Sequence, residues 1–218
     1  MERNQDTEQA ILRAATTVFL DKGYDGTRMQ EIADEAAINK ALLHYYFRSK
    51  ERLYVAVFSR EMGRFLQELI ASVMDIDDAH RFFRRFVENY TDAIRQRPQL
   101  VRFILWELQT GGDRLAETMR GVFESVGQRR MPLLPKVEAF MDSGQIRRQD
   151  PHHLVINLLG MCVYPFIAQP LLSRIMPDLA MTTPDYFAAR KSITFDWVWH
   201  SVRPDGPDGP PDTPEDPS

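Results

Sequence analysis

Cysteine is almost absent. Among 218 residues only Cys162 is present, inside an apolar run. No disulfide can form within the chain, and no metal site can rest on several thiolates. Such thiol scarcity fits a reducing cytosol, the expected location. A charge excess is lacking too. The 27 Lys and Arg face 31 Asp and Glu, a net −4, which excludes a uniformly basic protein that coats polyanions. Five acidic and no basic residues fall in 204–218, and without them the body carries +1. A nucleic-acid surface must therefore be local. No run of eighteen apolar residues occurs. The longest stretch, 154–172, is broken by Asn157, Pro165, Gln169 and Pro170 and reads as a kinked buried or interface helix, with no membrane partner expected. The polar start MERNQDTEQA is no signal peptide. Sustained alternation between turn dipeptides is missing, so no sheet is predicted. There is no nucleophile elbow, phosphate loop or paired-histidine motif, hence no expected enzyme, cofactor or metal. His44 has no ligand partner at i+4, and His152–His153 read as polarity at a helix start.

What remains is helical periodicity. Ala10, Ile11, Ala14, Ala15, Val18 and Phe19 form one stripe of a first helix over 7–22, with Thr7 as its N-cap and Gly23 as its left-handed stop. Thr27 is expected to cap a short second helix bearing Met29, Ile32, Ala33 and Ala36. Asn39 caps a third over 40–47, and Ser49 a long fourth to about 74. Two short helices joined by a few residues suggest a helix-turn-helix. Further helical patterns follow. Pro98 and Gly111–Gly112 bound one, Pro132 and Pro135 disturb another, Pro151 opens a third, and the last ends near 203. About nine helices result, an all-α chain. The Pro-, Gly- and Asp-rich residues 204–218 bury too little to order and are expected to be a disordered tail.

Residues 14–58 resemble the TetR family of transcriptional regulators. The resemblance rests on Phe19, Gly23–Tyr24, Thr27, Ile32–Ala33, Ala36 and the run INKALLHYYFRSKERL. SGQIRRQDPHHLVINLLG is more loosely similar to the family's penultimate helix. Two departures stand out. Ala37 replaces the usual turn glycine, at a cost on the order of 1 kcal/mol if φ is positive. Asn39 replaces the usual Ser or Thr cap. The resemblance implies a DNA-binding domain over 1–50, a helical ligand-binding and dimerisation domain over 51–203, and a cytoplasmic homodimer, nucleoid-associated when DNA-bound. It also implies a repressor released from a palindromic double-stranded operator by a small apolar or aromatic effector.

In such motifs the second short helix enters the major groove. Leu43 and Phe47, four apart, should face the core, leaving Lys40, Ala41, His44 and Tyr45 outward. Lys40 can reach guanine or phosphate, Ala41 or Leu42 a thymine methyl, and His44 and Tyr45 bases or phosphates. By resemblance, Tyr46 and Lys50 clamp phosphate, and Thr27 and Arg28 hold backbone at the start of the second helix. Tyr46 can instead cover the core, and Arg48 and Arg52 read as a solvated face. Residues 39–52 carry a local +3, but residues 1–60 hold nine basic and nine acidic residues. That balance keeps open a second reading, a helical interaction dimer that no longer reads DNA. Also by resemblance, Phe103, Trp106, Glu107, Met119, Phe123, Met161, Tyr164 and Phe166 are effector-pocket candidates, with Glu107 facing a ligand or pairing with Arg102 or Arg114. Leu158, Phe195, Trp197 and Trp199 are interface candidates, with intramolecular packing as the alternative.

Overall fold

Helix starts and stops are written in the local chemistry of this chain. The computed structural model describes residues 2–109 and 111–204, with side chains from residue 6 onward apart from Leu20 and Gln99. Residues 205–218, nearly all of the expected tail, lie outside the described residues. Among the described residues there are ten α-helices, one more than expected, and no strand.

Helix α1 (Glu2–Gly26) begins more than a turn before the expected start, so Thr7 is an interior residue and not a cap. Gly23 breaks it with φ 69° and ψ 178°, a positive φ as expected but with extended ψ. Helix α2 (Met29–Glu35) is capped from Arg28, not Thr27. Thr27 is buried, and its hydroxyl donates to the Gly23 carbonyl at 2.7 Å. The hydroxyl ties the turn down from inside, where a cap would face out. Ala37 has φ 54°, and the Ile38 N–H returns to the Ala33 carbonyl at 3.0 Å to close α2. Helix α3 (Lys40–Tyr46) opens with Asn39 Oδ1 accepting the Leu42 N–H at 2.8 Å. Helix α4 (Lys50–Ala71) opens with Ser49 Oγ accepting the Arg52 N–H at 3.2 Å. Helices α5 (Ala79–Gln96), α6 (Gln99–Gln109) and α7 (Asp113–Ser125) follow. Pro132 separates α7 from α8 (Leu133–Asp142), since proline removes a ladder N–H. Helix α9 (Pro151–Ile175) is capped by Asp150, which accepts from His152 and His153 N–H and whose carboxyl is held below its usual range by those bonds. A 3-10 turn (Pro177–Leu179) precedes α10 (Pro184–Val202), capped by Thr183.

The chain forms two compact units. One holds residues up to Ile70 together with Ala93–Arg130, the other Ala71–Asp92 together with the described residues from Met131. In the first, Ile11, Ala15, Phe19, Ile32, Leu43, Leu53, Val57 and Phe58 are buried. An aromatic cluster joins this core: Tyr54 meets Phe19, Tyr24, Phe103 and Trp106 at 4.6–5.3 Å between ring centres. In the second, Phe82, Phe83, Phe86 and Phe140 are the centre.

Candidate nucleic-acid interface

Helix α3 is held by two buried residues and presents the rest. Leu43 is fully buried and Phe47, its C-cap, nearly so. The i and i+4 spacing expected to turn these two inward does so. Lys40, Ala41, His44 and Tyr45 are exposed, Tyr45 to 75%, and Leu42 and Tyr46 are half-buried. The Tyr45 and Tyr46 rings meet edge-on at 5.4 Å, so one aromatic edge runs along the outer face.

At the start of α2, Arg28 is exposed while Thr27 is closed to any outside group. The N–H groups expected there for a phosphate are partly taken. Glu31 accepts the Arg28 N–H at 3.0 Å and pairs with Lys22 at 2.8 Å. The Lys22 hydrogen bond, then the Arg28 N–H, holds the Glu31 carboxyl below its ordinary value. Lys50 is engaged as well. Its Nζ lies 4.5 Å from the Tyr24 ring centre and donates to the Asp25 carbonyl at 3.4 Å. It stands at the first turn of α4, one turn before Tyr54. Burial, then the Glu107 charge, pushes the Tyr54 hydroxyl up.

Residues 11–57 match the model of a family described as bacterial regulatory proteins, tetR family. The HTH-type transcriptional regulator RutR of Escherichia coli K12 is 30% identical over 151 residues, 69% of each chain. The chain belongs to the tetR family. Another relative of this tetR-family regulator, the HTH-type transcriptional repressor NicS of Pseudomonas putida, is 30% identical over 144 residues, 65% of this chain and 66% of that protein. Among solved structures, a putative transcriptional regulator from Streptomyces coelicolor, SCO4942, shares the fold. It has a TM-score of 0.67 at 23% identity, covering 91% of this chain and 99% of the other. FadR of Bacillus subtilis, solved with stearoyl-CoA, gives 0.67 at 17% identity, covering 90% and 100%. The tetR-family assignment makes the chain a DNA-binding transcriptional regulator with a helix-turn-helix, not an enzyme.

The other expected site residues divide between the two units of this tetR-family chain. Phe103, Trp106, Glu107, Met119 and Phe123 lie in the first, and Met161, Tyr164 and Phe166 in the second. Phe103 and Trp106 line a cavity of about 180 Å³ with Phe19, Gly23, Tyr24, Tyr54 and Arg102. Glu107 is 1% exposed and stands 3.6 Å from Arg114 Nη1, an ion pair as one alternative held. Phe123 is buried, Met119 and Met161 are half-buried, Phe166 stacks on Phe187, and Tyr164 is exposed.

The four interface candidates divide. Leu158 and Phe195 are buried in their own unit, and Trp199 stacks on Phe195 and meets His80 edge-on at 4.8 Å. Trp197 alone of the four is exposed, at 69%. The spacing held the clue: Phe195, Val198 and Val202 fall at i, i+3 and i+7 on the inner stripe, and Trp197 lies off it. Sequence reading missed Tyr24 and Tyr54. The aromatic directly after Gly23 and the one five residues after Ser49 were visible, but their meeting was not.

Proposed function

We propose that the chain works as a homodimer in which α3 of each copy enters one half of a palindromic operator. An effector releases it, making it a repressor. The supporting observation is a bare apolar stripe. Ile156, Tyr164, Leu171 and Ile175 of α9 and Ile193 and Trp197 of α10 are all exposed. On α9 these positions fall within one side of the helix, and a second copy is the simplest cover. The division of labour is at about residue 50, with 51–203 sensing and pairing. NicS, named a repressor, supports the sign.

On α3, Lys40, Ala41, Leu42, His44 and Tyr45 face the bases. Tyr46, Lys50 and Arg28 grip phosphate. The aromatic cavity beside Tyr54 supports a small apolar or aromatic effector, since a cavity on the order of 150 Å³ already holds benzene. A ligand there repacks Tyr54 and moves α4, whose first turn carries Lys50. The two heads must sit about one DNA turn apart, ~34 Å, to fit a palindrome.

The test is binding to a labelled palindrome from the region upstream of the gene. Replacing Tyr46 and Lys50 together by alanine is expected to lower affinity by about tenfold or more and to flatten its salt dependence. Unchanged affinity would remove the phosphate assignment.

A further inference from the structure

Helices α4 and α7 border a cleft of about 600 Å³ within the first compact unit. This is separate from the aromatic cavity. Three guanidinium groups, Arg60, Arg64 and Arg114, line it against the single carboxylate of Glu117. Ser59 and Thr118, hydroxyl to hydroxyl at 3.1 Å, add neutral donors. Its walls also include valine side chains. The decisive detail is the state of the arginines. Arg60 Nη1 and Arg114 Nη1 are both buried without a hydrogen-bond partner. Arg60 has Glu61 no nearer than 3.9 Å from its Nε; Arg114 spends Nη2 on Glu51, while its Nη1 stays 3.6 Å from Glu107, an ion pair beyond hydrogen-bond range. Buried guanidinium N–H groups normally find acceptors. Two planar forks lining one cleft suit an oxyanion. The volume lies in the small-molecule range.

We propose that the α4–α7 cleft binds a small organic anion, a carboxylate or phosphate on an apolar body, through Arg60 and Arg114. The site goes beyond the aromatic effector cavity and stands without it. It also has a route to the DNA face. Arg114 Nη2 is paired with Glu51 at 2.5 Å, and Glu51 adjoins Lys50. An anion on Arg114 competes with Glu51 for the same guanidinium.

Titration calorimetry of the full chain tests this, with benzoate and phenyl phosphate as probes at constant ionic strength against sodium chloride. Saturable binding of at least one probe is expected, and which one binds identifies the head group. Arg60→Gln should weaken it by about tenfold. Gly121→Phe should block it, because a Cβ there meets no heavy atom within 4 Å and the ring can fill the cleft without displacing protein. Unchanged thermal melting of G121F confirms that the fold is kept. Absence of saturable binding by both probes, or binding that survives both substitutions, overturns the proposal.

Discussion

Two outward faces of this molecule carry exposed aromatics, and their neighbours differ. On α3, Tyr45 stands beside Lys40 and His44, with Arg48 just past the helix end, all exposed. On α10, Trp197 stands beside exposed Ile193, and α9 adds Ile156, Leu171 and Ile175. An aromatic ring offers an apolar body to either surroundings, so the ring alone does not specify a partner. Adjacent cations select a polyanion, and their absence selects another apolar surface. The difference also appears in how the faces are built. Helix α3 has seven residues and depends on an Asn39 cap, while α9 has 25 and begins at a proline.

The largest effect is expected on the α10 face. Trp197→Glu puts a charge at its centre, and in a two-fold contact the change occurs on both copies. Sedimentation should show the monomer mass, and palindrome binding should fall about a hundredfold as avidity is lost. A dimer that survives this change would place its interface elsewhere. A smaller loss is expected from Asn39→Ala, which removes the acceptor of the Leu42 N–H. About 1 kcal/mol of stability should go in a denaturant melt, with weaker DNA binding and unchanged assembly. Smallest is a gain from Ala37→Gly. Relief of the left-handed backbone, ~1–2 kcal/mol, exceeds the entropy glycine adds, ~0.5–1 kcal/mol, leaving about 0.5 kcal/mol in the same melt. A loss there would mean that the alanine methyl is itself useful.

Much of the fold was legible because helix signals are local. Asn39, Ser49 and Pro151 each mark a start that the structure has, and Leu43 and Phe47 followed from spacing alone. What failed was direction. A threonine beside a turn reads equally as an outward cap or an inward tie, and only tertiary packing chose the second for Thr27. An aromatic-rich terminal helix reads as an interface, yet Phe195 is buried in its own unit and Trp199 stacks on it, while Trp197 is exposed. The sequence offered Arg114 only as a partner for Glu107, and gave no sign that it shares a cleft with Arg60. Arg60 and Arg114 are 54 positions apart in the chain, and their shared cleft depends on how two helices pack.

The shortness of α3 limits how much text it can read. Seven residues at ~1.5 Å each span about 10 Å, roughly three base pairs at ~3.4 Å per step. Doubled by a second copy in the proposed dimer, six base pairs single out about one site in 4,000, against on the order of 10⁶ or more competing sites in a genome. The operator must therefore be recognised largely by features the two helices do not spell out base by base. The bendability of the DNA between the half-sites is one such feature.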